Sequence, residues 1–179
     1  MTITYTINVK DMRAFGEYVR LKTPQGIRLR IATNIIFVLV ALYMTMKLTD
    51  KSYSTQIVSF ILAFCIFALI AKILNWLFVR IAEWRMLTPE KQKGLLCEHT
   101  ITLTDDWIIE TTSVNEDKKK WSGVYKVVDT KEYIYIFLTP QMAHIIHKRS
   151  FSSPEQSELF FKKAFELHAK AVAAFQVTH

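Results

Sequence analysis

The sequence predicts an α+β membrane protein: a two-helix transmembrane hairpin plus a small antiparallel β-barrel or sandwich capped by a C-terminal helix. Three observations predict it. Two long uncharged apolar runs lie between residues 31 and 79. Apolar and polar residues alternate strictly at the N-terminus and again after residue 97, the period of half-buried strands. The last segment, from Ser153, has helical spacing and an N-terminal cap signature.

The elements follow in chain order. In Thr2–Val9, Ile3, Tyr5, Ile7 and Val9 share one face and three Thr and Asn8 the other, as in a strand packed on one side. Residues 11–22 read as a short amphipathic helix with Met12, Phe15, Val19 and Tyr18 on its apolar side and Asp11 as its N-cap. Ile31–Met46 is a run of sixteen uncharged residues, and Ser52–Ala71 one of twenty that continues past Lys72 to Val79. A bilayer core of ~30 Å needs ~20 helical residues. The second run meets that length. The first meets it when Arg28, Arg30 and Lys47 extend their charges to the headgroups.

Residues 1–30 carry six Lys and Arg, and the inter-span stretch only Lys47 and Lys51. Arg80, Arg85, Lys91 and Lys93 follow the second span. This distribution predicts both termini on the cytoplasmic side of the cell (inner) membrane. Tyr43, Tyr53, Trp76 and Trp84 stand where an interfacial aromatic belt would. Lys72 is expected to reach the cytoplasmic interface, and residues from Trp76 to about 87 to form an interfacial amphipathic helix ended by Leu87-Thr88-Pro89.

Strands are expected at His99–Thr104, Trp107–Ser113, Tyr133–Thr139 and Met142–Lys148. Lys119–Trp121 and Tyr125–Thr130 read as one broken strand or two short ones. Asp105-Asp106, Asn115-Glu116-Asp117 and Pro140-Gln141 read as turns. In the last helix Ser153 is the expected N-cap, Pro154 the first helical residue and Gln156 the return arm of a capping box. Phe161, Ala164, Phe165, His168, Val172 and Phe175 define its expected packing face, and Glu158–Lys162 and Glu166–Lys170 its solvent side. The expected organisation is therefore strand and short helix over 1–26, hairpin over 27–88 (spans at 28–48 and 54–76), and a cytoplasmic domain over 95–179.

The 179-residue chain has a net charge of +7, and the excess sits beside the membrane. Residues 1–30 contribute +4, and residues 80–179, with fourteen Lys and Arg against thirteen Asp and Glu, only +1. A nucleic-acid module would carry its cations on the soluble part, so no nucleic acid is expected as a partner. Two Cys exclude a disulfide framework and a four-Cys zinc site.

No His-Glu-x-x-His or Cys-x-x-Cys motif occurs in the sequence. His144 and His147 are three apart on a strand and point to opposite faces. No metal site is expected, and no cofactor. Cys65 lies within a span, and Cys97 lacks a His or Asn partner at a recognisable spacing, so no catalytic residue is expected. His168 reads as a satisfied core histidine.

Thr100-Ile101-Thr102-Leu103-Thr104, Lys120-Trp121-Ser122 with Val124, Val127-Val128-Asp129-Thr130-Lys131-Glu132-Tyr133 and Lys148-Arg149-Ser150-Phe151 resemble the pattern of the bacterial YcxB-like membrane proteins. Gly123 departs from the acidic or polar residue more usual there. The resemblance implies an N-terminal strand, a two-span hairpin and a C-terminal pleckstrin-homology-like (PH-like) domain, and it implies no activity. Trp121, Val124, Tyr133 and Phe151 are then core anchors of the motif.

The expected function is that of a membrane-anchored, non-catalytic PH-like module. Its partners would be the lipid bilayer and a protein or peptide, and a homo-oligomer is compatible. Basic residues of PH-like folds can also meet anionic headgroups, which makes Lys118, Lys119, Lys120, Lys148 and Arg149 the expected contacts of an alternative, headgroup-sensing reading. A small oligomeric transporter or enzyme using Lys72 and Asn75 is a third.

Overall fold

A computed structural model describes residues 1–48, 53–86 and 94–177, and divides the chain into two units. One combines residues 1–19 with the C-terminal part, and the other spans Arg20–Thr88. The inter-span turn at 49–52, the helix end expected at Leu87-Thr88-Pro89, and Lys91 and Lys93 lie outside the described residues. So do His179 and the side chains of Trp84, Arg85 and Phe175.

The first unit is α+β. Strand β1 (Thr2–Thr6) leads into helix α1 (Val9–Lys22). After the hairpin come β2 (Glu98–Leu103), β3 (Trp107–Thr112), β4 (Glu116–Lys120), β5 (Lys126–Asp129), β6 (Tyr133–Thr139) and β7 (Met142–His147). Helix α4 (Pro154–Val177) closes the chain. All strand pairs are antiparallel, in a four-stranded sheet β1-β2-β3-β4 and a three-stranded sheet β5-β6-β7. No ladder joins the two sheets among the described residues, so the expected barrel is not closed. Trp121–Gly123 turns the chain from β4 into β5 as a single 3-10 turn.

Local chemistry fixes most of these elements. On β1, Ile3 and Tyr5 point inward, and Thr2 and Thr4 bond Thr102 and Thr100 across the outer face at 3.1 and 2.9 Å. The strand is shorter than the alternation suggests, because Val9 already opens α1. The cap of α1 is Asn8, not Asp11. Asn8 Oδ1 accepts from the amides of Lys10 and Asp11, and Asp11 Oδ2 accepts from the amide of Asn8, a reciprocal capping box. Glu116 and Asp117 belong to β4 rather than to a turn, since Thr112 takes over the turn and bonds Asn115 through backbone and side chain.

Strand β6 is covered on both faces, which is why it reads as a continuous apolar run. Tyr135 and Phe137 meet Phe15 and Tyr18 of α1 with ring centroids 5.0–6.0 Å apart. Ile134 and Ile136, on the opposite face, are fully buried with Ile101, Ile108 and Ile146. Trp121, Val124, Tyr133 and Phe151 are all buried in this core. The Trp121 indole N–H donates to Thr104 O at 2.9 Å, which satisfies the polar end of a large buried ring.

Helix α4 begins as its sequence indicates. Ser153 Oγ accepts from Gln156 N, and Gln156 Oε1 accepts from Ser152 N. Its packing face is rotated by one residue from expectation. Ser157, Phe160, Ala164 and Leu167 are buried, whereas Phe165 is 51% exposed and Val172 exposed. Two adjacent apolar stripes compete on this helix, and the one carrying small Ala164 beside Phe160 fits against β5 and the Trp121 turn. His168 stays half-buried, 3.4 Å from Trp121 O.

The second unit is a helical hairpin, α2 (Pro24–Leu48) against α3 (Tyr53–Met86). Thr23 caps α2 through its hydroxyl to Gly26 N at 3.2 Å, and Pro24 occupies the first helical position. Pro24–Met44 and Tyr53–Ile81 are long and apolar enough to cross a membrane, and almost none of either is buried. Ala41 is fully buried, and Ser59, Ala63 and Ala71 on α3 are partly covered; small residues permit close helix approach. Helix α3 runs unbroken through Trp76 to Met86. Lys72 and Asn75 are exposed on α3.

Candidate functional site

The turn after β7 collects the charges. Residues Lys148–Ser150 form a 3-10 turn that His147 caps, its Nδ1 accepting from Arg149 N at 2.8 Å. The turn is tied down by Lys148 N donating to Glu132 O, next to the β5–β6 turn. Lys148 and Arg149 are thereby set against the first turns of α4.

Between these segments lies an open cleft of about 690 Å³. Lys131, Lys148, Arg149 and Lys162 supply its cations, Asp129 and Glu158 its carboxylates, and Phe151 and Phe161 its aromatic wall. Lys148 Nζ is 2.7 Å from Asp129 Oδ1, and Lys162 Nζ is 2.7 Å from Glu158 Oε1. That contact raises the Lys162 ammonium and lowers the Glu158 carboxyl, both at the solvent surface. Glu155, at the α4 N-terminus, is lowered by bonds to Ser153 and to its own amide.

Arg149 faces two ways. It lines the cleft, and its Nη2 donates to both oxygens of Asp11 at 3.0 and 2.9 Å. Asp11 is 1% exposed, whereas the Arg149 side chain is half exposed. The Tyr133 hydroxyl donates to the same Asp11 Oδ1 at 3.0 Å. Burial, then the Asp11 hydrogen bond and charge, push this phenol up to about 12. Asp11 thus locks α1 to β6 and to the turn that carries the cleft's cations.

The expected contact residues fall into two groups. Lys148 and Arg149 share the cleft. Lys118, Lys119 and Lys120 lie on β4, in the other sheet, and the pleat divides them. Lys118 and Lys120 stand over the Trp107 ring, 4.5 and 5.4 Å from its centroid. Lys119 points to the opposite face, opposite buried Ile108. They form no basic loop. Lys131 and Lys162, which the sequence reading passed over, join the cleft instead.

A second polar cluster lies in the core. Glu110 Oε1 is 3.0 Å from His99 Nδ1 and 3.1 Å from His144 Nδ1. Burial pushes this carboxyl up, but hydrogen bonds from His144 and His99 outweigh it and hold Glu110 at about 2. His147, on the opposite face of β7, packs edge-on against Tyr133. No group of three or more metal-ligating side chains converges among the described residues.

Residues 103–164 match the YcxB-like protein family. The match starts at the last residue of β2, ends within α4, and covers the cleft and the Trp121 turn but neither β1 nor α1. Neither the curated proteins nor the solved structures yield a match. Residues 103–164 are therefore a YcxB-like domain, preceded by two apolar helices that fit a hairpin.

Proposed function

We propose that the chain is a membrane-anchored, non-catalytic interaction module that holds a PH-like domain at the cytoplasmic face and engages an acidic segment of a partner protein. The PH-like reading is supported by strand order. Seven antiparallel strands run as a meander of four, then three, with a C-terminal helix against the corner between them. The hairpin is inserted between the first and second strands. The orientation rests on the Lys and Arg excess flanking the spans.

The observation that carries the partner class is the cleft. Four cations from three chain segments surround a concave space with two Phe on its wall. Paired carboxylates hold Lys148 and Lys162 in place. Such a surface suits a peptide that brings an acidic group and an apolar side chain together. A headgroup-sensing reading is favoured by a different place, the outer face of β3 and β4. There Trp107 lies beneath Lys118 and Lys120, the residue types that favour the headgroup zone.

Photo-crosslinking in native membranes separates the two. A benzophenone amino acid at Lys131 is expected to capture a discrete protein, and Lys148→Glu to abolish that adduct. Adducts to lipid alone, or a protein adduct indifferent to Lys148→Glu, overturn the reading.

A further inference from the structure

Cys97 ends the connection into β2, and His99 follows two residues later on the same face of the chain. Cys97 Sγ lies 3.6 Å from His99 Nε2. The other ring nitrogen, Nδ1, is 3.0 Å from Glu110 Oε1. Thiol, imidazole and carboxylate thus stand in line, in the order that activates a nucleophile: a base in reach of the nucleophile, and a third group that orients the base. Sequence spacing hides this arrangement, because the His is the cysteine's near neighbour and the Glu comes from the adjacent strand.

Both ring nitrogens of His99 have an acceptor in reach. Nδ1 faces a carboxylate, and Nε2 also lies 3.2 Å from Leu95 O, another group that only accepts. An imidazolium satisfies both acceptors at once, and then places a proton and a positive charge beside the sulfur. A second, independent feature points into the same place. Tyr5, 4% exposed, stacks on the His99 ring with centroids 5.7 Å apart, and its hydroxyl has no hydrogen-bond partner among the described residues. The charges of Glu110 and Cys97 both act on this phenol, after burial, in raising it well above its ordinary range. A buried donor lacking an acceptor, beside a thiol, suits a negative sulfur or the acidic group of a small bound molecule. Cys97 itself is partly exposed, so a small reagent can reach it.

We propose that Cys97 is an activated thiol that forms a mixed disulfide with a low-molecular-weight disulfide. The Cys97 thiolate attacks one sulfur of the disulfide, a new S–S bond forms and the old one breaks. The Cys97 sulfur is oxidised, the departing sulfur is reduced, and the departing thiolate takes the proton held on His99. Among the described residues, the ionisable groups around the thiol are Tyr5 of β1, His99 of β2, and Glu110 of β3, with His144 of β7 bound to Glu110 from the other sheet. This site is separate from the cleft and does not depend on what the cleft binds.

The test uses the full chain in detergent with Cys65→Ser, which leaves Cys97 as the one thiol. The probe is dithiodipyridine, whose released thiopyridone is followed by absorbance from about pH 5 to pH 9. The expected rate is already near its plateau at about pH 6, and His99→Gln lowers it roughly tenfold there while leaving the rate at about pH 9 little changed. A wild-type rate that climbs about tenfold per pH unit up to about pH 8.5, as for an ordinary thiol, overturns the proposal. So does a thiol that fails to react in the folded protein. The wild-type profile decides the matter even if the His99 variant does not fold.

Discussion

Two carboxylates, Asp11 buried and Glu110 half-buried, join distant parts of the domain, and they do it differently. Asp11 on α1 receives Arg149, 138 residues away, together with the Tyr133 hydroxyl and the Asn8 amide. Glu110 on β3 receives two histidines, one from the neighbouring strand and one from the other sheet. The partner of Asp11 is a guanidinium that stays charged at any ordinary pH. The partners of Glu110 are imidazoles, the side chains whose charge changes near neutrality. The first arrangement suits a fixed lock between helix and sheet, the second a centre whose charge can vary.

The largest expected effect comes from breaking the lock. Asp11→Ala removes four hydrogen bonds to one buried carboxylate and leaves Tyr133 and the Asn8 amide without an acceptor. Breaking a buried ion pair costs ~3–5 kcal/mol, and the half-exposed Arg149 can re-solvate, so a loss of about 3 kcal/mol is expected. Denaturant unfolding of the full chain in detergent measures it. A loss under about 1 kcal/mol would show that α1 is held by its Phe15 and Tyr18 contacts alone.

The Glu110 centre should reveal itself through pH. Its carboxyl titrates at about 2 rather than 4.5. A lowered carboxyl stabilises the fold fully above the unfolded value, and the stabilisation is lost as pH falls from 4.5 towards 2. That difference corresponds to about 3 kcal/mol, and about 2 kcal/mol is expected because Glu110 is partly exposed. Glu110→Gln should flatten this acid limb and leave other acid-dependent losses in place. An unchanged limb in the variant would assign the acid sensitivity to other carboxylates.

Much of the domain was legible before its coordinates, and for a physical reason. Strand β6 announces itself because a strand covered on both faces needs an unbroken apolar run. The α4 cap announces itself because Ser153, Pro154 and Gln156 act within one turn. Both signals are local. The Asp11–Arg149 lock and the Glu110 pairs are not, since each depends on a register between distant segments that no single window encodes. The division of the three lysines of β4 is hidden for a related reason. A run of like charges resembles a basic loop until the pleat separates Lys119 from its neighbours. On α4 the signal was degenerate: Phe160 and Phe161 are adjacent, and only packing decides which stripe turns inward.

A smaller effect probes the corner between the sheets. Trp121→Phe keeps a buried aromatic ring but loses the 2.9 Å bond to Thr104 O and some volume. A loss of about 1–2 kcal/mol is expected, one hydrogen bond plus a small cavity. If the loss is much greater, the corner also depends on the indole's shape to seat His168 and α4.

The smallest expected effect separates packing from binding on β4. Lys118 stands 4.5 Å over Trp107, an exposed contact worth about 0.5 kcal/mol. Lys118→Ala should therefore change stability by no more than that. Lys118→Glu, by contrast, places a carboxylate over the electron-rich ring face and reverses the charge of the patch. If this face meets an anionic leaflet, the charge reversal weakens the full chain's preference for anionic over neutral lipid annuli, while Lys148→Glu in the cleft leaves that preference intact. If the face is only solvated, neither substitution moves it. Lipid composition retained around the purified chain, read by mass spectrometry, distinguishes these outcomes. It also decides whether the two groups of cations, one on β4 and one around the cleft, serve one surface or two.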